Sequence, residues 1–359
     1  MTNTIVDISK AKKPKVKKDR EVNLLSAAEL KPEPISWLWN GYLARGKMQI
    51  LGGMAGSGKT TIAMSLAATV SKGGTWPDGT RAKQGNVLVW TGEDDPQDTL
   101  LPRLLMCGAD ANKIWFIGGV KERNQARSFD PAKDVAMLSE KIEEIEGISL
   151  IIVDPIVSAI SGDGHKNNEV RRGLQPLVDL AASHDCALLG ITHFTKGTSG
   201  RDPLERITGS LAFGAVARVV MVAAKAPKEE SRVFMRAKSN IGSDSGGFKY
   251  EIEQSRLSDY PDIFATYAKF GEAIEGTAID ILGEVEETDE DKQVKASALE
   301  DAKAFLIDIL SGGRVAVKQI EQDAKEAGHY MRTVRRAKTK LRIDAVKDGV
   351  WYWELPKMS

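Results

Sequence analysis

Residues 51–66, LGGMAGSGKTTIAMSL, constrain this chain more than any other stretch of its sequence. Gly53, Gly58, Lys59 and Thr60 match the pattern Gly-x4-Gly-Lys-Ser/Thr, between an apolar strand and an amphipathic helix. Glycines let the backbone wrap around an anion, so that N–H groups at the helix start donate to phosphate oxygens. The alternative is an ordinary glycine-rich turn, which the flanking strand and helix disfavour. The stretch therefore predicts a phosphate-binding loop.

Lys59 and Thr60 carry the most specific chemistry of this loop. A lysine there places a point charge on the β- and γ-phosphates, and the threonine hydroxyl is a ligand for Mg²⁺. ATP and Mg²⁺ are therefore the expected cofactors. The residues expected to bind the nucleotide are Gly53, Met54, Ala55, Gly56, Ser57, Gly58, Lys59, Thr60 and Thr61.

From about residue 35 to residue 267, strand-like runs alternate with helical patterns. This alternation predicts an α/β fold, with a mostly parallel sheet flanked by crossover helices. The predicted strands span 47–51, 86–90, 113–117, 149–154, 187–193, 218–224 and 233–239. The predicted helices span 59–71, 97–107, 132–146 and 168–184, and the long loops 161–168 and 195–210.

Carboxylates follow two of the predicted strands. Asp154 ends the apolar run SLIIVD, where a carboxylate supports Mg²⁺. Glu93, directly after the strand NVLVW, is the expected general base that polarises the attacking water. The neighbouring acids have a structural alternative, because acidic residues before a helix commonly cap it, and Asp95 before Pro96 fits that role.

His193 ends another apolar strand, beside the loop over 195–210. At such a position it could sense the γ-phosphate and relay its presence to that loop. The alternative is a structural histidine.

The charge of the chain is balanced overall, with 50 basic and 50 acidic residues, so it indicates no class of partner. Its distribution predicts four regions: a disordered basic arm over 1–22, an ATPase core over 23–283, an acidic linker over 284–296 and a small domain over 297–359.

Two cysteines are too few for a disulfide framework, and no apolar run is long enough to span a membrane. We expect a soluble cytoplasmic protein without a membrane partner.

The last region predicts a winged helix-turn-helix. Helices are expected over 297–311, 317–327 and 332–341, followed by a hairpin at the Asp-Gly of VKDGVWYWEL. Apolar residues in the last helix face the core, which leaves outside the basic residues Arg332, Arg335 and Arg336. Such a face suits contact with DNA, and the alternative is an interaction domain with a solvated basic face.

The phosphate loop, Glu93, Asp154-Pro155 and THFTKG together resemble the RecA-fold ATPases. Over roughly residues 35–255 the chain is similar to RepA-like hexameric helicase ATPases, relatives of the DnaB and KaiC proteins. The resemblance implies a homo-oligomer, as a hexameric ring, with single-stranded DNA in its channel. It also implies that the loop over 195–208 contacts this DNA through Lys196, Arg201 and Arg206.

In such rings a neighbouring subunit adds basic residues at the γ-phosphate, and the resemblance implies Lys238 in that catalytic role. The alternative is a solvated lysine at a strand end. Asn240 stands where an arginine often follows, which leaves Arg218, Arg236, Arg206 or no residue as the arginine finger.

Three functions follow from these patterns. The first is a DNA-dependent ATPase of the RepA type, a helicase or remodeller in the replication of a plasmid, phage or mobile element. The second is a KaiC-like regulatory ATPase, acting as a DNA-bound switch or loader. The third is a DNA-binding regulator that binds nucleotide and barely hydrolyses it.

Overall fold

The computed structural model describes residues 24–122, 125–164, 166–195, 197–198, 201–207, 211–225, 232–286 and 289–356. The basic arm predicted over 1–22 lies outside the described residues. The chain divides into two units, 1–35 and 36–359. The described part of the first unit, from Leu24 to Ile35, contains a turn over 27–29 and no helix or strand.

The described part of the second unit contains sixteen strands and ten α-helices. Residues 36–225 contribute β1 (Trp37–Trp39), β2 (Leu43–Ala44), β3 (Met48–Gly53), α1 (Lys59–Lys72), β4 (Asn86–Thr91), α2 (Leu101–Met106), β5 (Ile114–Phe116), β6 (Val120–Glu122), β7 (Gln125–Arg127), α3 (Val135–Ile142), β8 (Ile148–Asp154), α4 (Asn167–Ser183), β9 (Ala187–Ile191), α5 (Pro203–Arg206), α6 (Leu211–Val216) and β10 (Val219–Lys225). Later residues contribute β11 (Arg232–Ser239), β12 (Gly247–Arg256), β13 (Phe264–Ile274), α7 (Ala278–Glu286), α8 (Asp289–Leu310), β14 (Val315–Ala316), α9 (Val317–Glu326), α10 (Met331–Lys340), β15 (Asp344–Asp348) and β16 (Val350–Glu354).

Nine of the described strands form one sheet, in the order β13-β12-β11-β10-β3-β9-β8-β4-β5. The neighbours from β10 to β5 are all parallel, whereas β11, β12 and β13 extend the sheet by antiparallel pairing. The mostly parallel sheet flanked by helices, predicted from the sequence, is confirmed. β9 lies between β3 and β8, so the strand before the phosphate loop and the strand that ends in Asp154 are not neighbours.

The central strands are buried on both faces, which explains their continuous apolar runs. In β8, Ile151 and Val153 pack into the core on one face, and Leu150 and Ile152 pack into the core on the other. Each fully buried side chain of this size contributes about 1.5–3 kcal/mol by leaving water. This burial fixes the register of the strands that carry the site.

The antiparallel strands β12 and β13 are the largest part of the sheet that the sequence analysis did not predict. Much of β12 is exposed or half-buried, with charged residues among its apolar ones, so it shows no continuous apolar run. Its buried residues, among them Phe248 and Tyr250, join the core beside α1. A short-range pattern does not show this contact, because α1 and β12 are far apart in the chain.

The C-terminal region has its own hydrophobic core, formed by α8, α9, α10 and the strand β16. The three strands described here form a sheet in the order β14-β16-β15, and β15 and β16 make the predicted hairpin. The turn between α9 and α10 has Gly328 at φ +77°, a conformation that favours glycine and ends the preceding helix.

The segment predicted as an acidic linker, 284–296, differs in the structure. Its described residues belong to the end of α7 and to the start of α8, which begins at Asp289 instead of at 297. Acidic residues near a helix N-terminus complement the helix dipole, so the same composition suits a first helical turn. None of the helices in the described part of the chain is long and apolar enough to span a lipid bilayer.

Candidate nucleotide-hydrolysis site

The site lies at the carboxyl ends of β3, β4, β8 and β9. The phosphate loop follows β3, Glu93 follows β4, Asp154 ends β8 and His193 follows β9. Because these strands are parallel, their carboxyl ends meet at one edge of the sheet, where α/β proteins bind ligands. The structure therefore brings together four segments that are up to 140 residues apart in the sequence.

The start of the phosphate loop packs closely against the neighbouring strand β10 of the sheet. A side chain at Gly53 would place its Cβ 2.2 Å from the carbonyl oxygen of Ala223 on β10, so only glycine fits there. Gly58, at φ +86°, precedes α1 and turns the chain into the helix. Backbone N–H groups at such a helix start are suited to phosphate oxygens.

Lys59 is buried in the first turn of α1. Its ammonium donates a hydrogen bond to the carbonyl oxygen of Met54, 3.0 Å away, and lies 3.1 Å from Nδ1 of His193. Burial lowers the pKa of Lys59 to about 8, against the attraction of Asp154 and Glu93. Burial and the charge of Lys59 also lower the pKa of His193, which leaves its ring nitrogen able to accept from the ammonium.

Thr60 and Asp154 form the pair expected to hold the metal. The Thr60 hydroxyl donates to Oδ2 of Asp154 at 2.7 Å. Burial raises the pKa of Asp154 to about 6, despite this hydrogen bond. A hydroxyl oxygen beside a carboxylate, next to backbone donors for phosphate, is the donor set that Mg²⁺ bound to a nucleotide prefers, so these residues fit ATP and Mg²⁺.

Glu93 is exposed and lines a pocket of about 200 Å³ together with Thr192 and His193. The turn that carries Glu93 is fixed by Thr91, whose hydroxyl oxygen accepts from the backbone N–H groups of Glu93 and Asp94. A carboxylate that reaches solvent at this edge is placed to accept a proton from water.

The other two acids after β4 are engaged in structure. Asp94 forms an ion pair with Arg103 at 3.1 Å. Asp95 accepts from the backbone N–H groups of Gln97 and Asp98, and thereby caps the π-helical turn Pro96–Leu100, in keeping with its expected capping role. Of the three consecutive acids, Glu93 is the one that faces the pocket.

Comparison with known proteins agrees with this geometry. The profile of the AAA domain family matches residues 15–199. The chain belongs to the AAA domain family. It is therefore an ATP-binding P-loop ATPase, and its core is a mostly parallel sheet flanked by helices.

No curated protein sequence matches this AAA domain protein. The crystal structure of the RadB recombinase is among the similar solved structures, with a TM-score of 0.43 and 17% identity over 60% of this chain and 91% of that chain. A likeness of this degree supports no functional conclusion.

The loop after His193 in this AAA domain protein differs from the expectation at one residue. Arg201 is exposed, as expected, and Lys196 lies outside the described residues. Arg206 is only 1% exposed, and its guanidinium lies 4.4 Å above the ring of Phe194. The predicted DNA contact of Arg206 therefore does not fit the structure, because packing against Phe194 places the side chain inside the protein.

Lys238 lies at the opposite edge of the sheet from the phosphate loop of its own chain. It pairs with Val220 near the start of β10, whereas the phosphate loop follows the other end of β3. Its ammonium donates to the carbonyl oxygens of Gly214 and Ala217, at 2.5 and 3.5 Å. A catalytic role of Lys238 therefore requires a second copy of the chain and remains a prediction.

The residues of the C-terminal region that were predicted to contact DNA lie on α10. Val334 and Ala337 are buried in the core, whereas Arg335 and Arg336 are exposed. Arg332 lies in the first turn of the same helix. The division between a buried apolar face and an exposed basic face follows the predicted pattern.

Tyr250 is a site residue that sequence reasoning missed. It lies on β12, is almost fully buried, and its hydroxyl donates to the carbonyl oxygen of Ser57 in the phosphate loop. Burial raises its pKa, so the hydroxyl stays protonated and remains a donor. A tyrosine in an unpredicted strand carries no sequence signal for such a role.

We expect Tyr250→Phe to weaken ATP binding about 2- to 10-fold, because the loop loses one hydrogen bond while the packing of the ring remains. Equilibrium titration with a fluorescent ATP analogue measures this. Tyr267→Phe is the matched control, because its hydroxyl bonds to Glu253 on the same hairpin and not to the phosphate loop. Equal affinity in wild type and Tyr250→Phe would show that the tyrosine only fills space.

Proposed function

We propose that this chain is a DNA-dependent ATPase similar to RepA-type helicases, in which ATP hydrolysis drives movement or assembly on DNA. The observation that supports this most is the physical link between the phosphate loop and the segment after His193. The N–H group of Phe194 donates to the carbonyl oxygen of Gly53 at 3.0 Å, and Phe194 forms a β-bridge with Ile207.

In the proposed reaction each site residue has one task. Lys59 and the backbone N–H groups of the loop would bind the phosphates, and Thr60 with Asp154 would hold Mg²⁺. When bound, the metal ion neutralises charge on the phosphate oxygens. Glu93 accepts the proton of the attacking water as general base. His193, beside Lys59, reports the state of the phosphate site to the residues that follow it.

The segment from Phe194 to Ile207 is anchored at both ends. The N–H group of Thr195 donates to the carbonyl oxygen of Arg206 at 2.7 Å, and Arg206 packs on the ring of Phe194. A displacement of the phosphate loop therefore reaches both ends of the segment together. Arg201, exposed between these ends, is the proposed contact to single-stranded DNA.

The C-terminal region is the proposed second DNA contact, as a winged helix-turn-helix. Its helices α9 and α10 meet through a short turn, and β15 with β16 forms the wing. The exposed Arg335 lies 3.4 Å from Glu321, a weak pair that leaves most of its charge available. Basic side chains on an exposed helix suit contact with the phosphates of duplex DNA.

We further propose a ring of copies, hexameric by resemblance, in which a neighbour completes each site. Three arginines were candidates for the arginine finger. Arg206 is buried, and Arg236 donates to the carbonyl oxygen of Ser245 while packing on Tyr42. Arg218 is exposed, and its carbonyl oxygen accepts from the N–H group of Asn240 at 3.2 Å.

Arg218 is therefore the proposed finger, since its backbone is hydrogen-bonded to Asn240, which occupies the usual finger position. Among the described residues its guanidinium has no hydrogen-bond acceptor. Burial and the charge of Arg218 lower the pKa of Lys238, which indicates that the two cations lie near each other. An anion from a neighbouring copy would satisfy both.

A regulatory ATPase is the second candidate function. The observation that favours it is the presence of Asn240, which has no positive charge, together with the bonding of Lys238 to carbonyl oxygens of its own chain. A weak contribution from the neighbour would make hydrolysis slow and suit a DNA-bound switch.

The decisive experiment measures the ATPase rate with and without single-stranded DNA, together with the mass of the protein with ATP. A motor predicts strong stimulation and a ring, whereas a switch predicts a nucleotide-dependent oligomer without stimulation.

Glu93→Gln should bind ATP normally and lose about 10²- to 10⁴-fold in ATPase rate, because only the proton acceptor is removed. Asp95→Asn is its control, and slow hydrolysis by the wild type in every condition would contradict the proposal.

The duplex contact makes a separate prediction. Replacing Arg335 and Arg336 by glutamine should reduce the slope of log affinity against log salt by about 1.8, since each neutralised phosphate contributes about 0.9. Fluorescence anisotropy with labelled duplex DNA at several salt concentrations measures the slope. The control is Lys318→Gln with Lys325→Gln on α9, which removes the same charge. If the salt slope of the α10 variant equals that of the wild type, the proposed contact through α10 is wrong.

The proposed finger is tested by mixing subunits. We expect Lys59→Ala and Arg218→Ala each to have little ATPase activity alone. In co-expressed mixtures about a quarter of the interfaces join an intact phosphate loop to an intact Arg218, because head-to-tail contacts repeat around a ring. Recovered activity supports a role across the interface. No recovery, although mass measurement shows mixed oligomers, would assign Arg218 to its own chain or to none.

A further inference from the structure

A second pocket, with three basic residues in its lining, lies at the edge of the sheet opposite the phosphate loop. It has a volume of about 360 Å³ and is lined in part by Trp37, Arg45, Arg81, Lys83 and Asp185. Arg45 precedes β3, Lys83 precedes β4 and Asp185 precedes β9, so the pocket is at the amino ends of these strands. The hydrolysis site is at their carboxyl ends, and the two sites share no residue.

The arginine at the base of this pocket is held in place without losing its charge. One guanidinium nitrogen of Arg45 donates to the backbone oxygen of Asp185 at 2.9 Å, and another donates to the hydroxyl of Ser149 at 3.2 Å. Both acceptors are neutral groups, so the hydrogen bonds orient the guanidinium and leave its charge for a ligand. A preorganised arginine loses less entropy on binding an anion.

Two more cations reach the pocket from an extended segment before β4. Arg81 and Lys83 are exposed, whereas Ala82 between them is buried. Alternate residues of an extended chain point to the same side, so both cations project away from the core together. Within the part of the chain that the structure describes, neither side chain has a hydrogen bond or an ion pair. With three cations and the carboxylate of Asp185, the pocket carries a formal charge of +2.

The aromatic residue of the pocket adds a second kind of surface. Trp37 is half-buried and lines the pocket beside the cations. Aromatic faces stack on nucleobases of any sequence, and adjacent cations bind the phosphates.

We propose that this pocket binds a nucleotide unit, with its phosphate on Arg45, Arg81 and Lys83 and its base against Trp37. The unit can belong to a nucleic-acid strand or be a free nucleotide, since both present the same chemistry. The site goes beyond the proposed function, because it contains no residue of the hydrolysis site, of the 194–207 segment or of the C-terminal helices.

The test uses the full chain with Arg81→Gln and Lys83→Gln. Two ligands are measured separately: fluorescent oligo(dT) by anisotropy over a range of salt, and ATP by equilibrium dialysis in a Lys59→Ala background. For oligo(dT) we expect roughly tenfold weaker binding and a salt slope smaller by about 1.4, since each single-strand phosphate contributes about 0.7. For ATP we expect loss of the binding that remains in Lys59→Ala.

Trp37→Leu separates base contact from charge. It should weaken oligo(dT) binding by about 5- to 150-fold while leaving the salt slope unchanged, because stacking involves no phosphate. Circular dichroism checks its folding, and the charge variant tests the pocket independently if Trp37→Leu does not fold.

Arg171→Gln with Arg172→Gln is the matched control, because both arginines are exposed on α4 and the same charge is removed. Loss of oligo(dT) binding in the pocket variant alone identifies a strand, and loss of ATP binding alone identifies a free nucleotide. Unchanged binding of both ligands, or an equal loss in the control, overturns the proposal. The stimulation of the wild-type ATPase rate by single-stranded DNA is measured in parallel. Its absence would contradict the proposed function without bearing on this pocket.

Discussion

The parallel pairing of β4, β8, β9 and β3 is the constraint on which the rest of this structure depends. Because their register is fixed by burial on both faces, the residues after each strand emerge at one edge. Lys59, Glu93, Asp154 and His193 meet there without any local sequence relationship. A slip of one residue would exchange the two faces of a strand and shift the group at its end by about 3.3 Å along the sheet.

The same burial creates the electrostatic character of the site. Lys59 and Asp154 are both charged groups within a nearly dry region, and burial shifts the pKa of each toward its neutral form. Hydrogen bonds to Met54, His193 and Thr60 offset part of this cost. Perturbed groups of this kind gather at functional sites, because burial and neighbouring charges there adjust pKa values to the chemistry.

The two edges of the sheet differ in what they offer. The carboxyl edge holds the carboxylates and the phosphate loop, whereas the amino edge holds cations: Arg45, Arg81 and Lys83 in one pocket, and Arg218 with Lys238 near the start of β10. In a head-to-tail assembly, one copy presents a surface that differs from the surface it receives. The two edges of this chain differ in this way, which suits such an arrangement.

The sequence by itself determined the phosphate loop, the strand that ends at Asp154, the strands that precede Glu93 and His193, and the three C-terminal helices with their hairpin. Each of these depends on a local pattern: glycine spacing, an apolar run with a terminal polar residue, or helical periodicity. Only the tertiary structure decided the support of the loop by Tyr250, the burial of Arg206, the isolation of Lys238 from its own phosphate loop, and the pocket around Arg45. These features depend on contacts between segments far apart in the chain. The charge or polarity of a residue does not predict which of these contacts it will make.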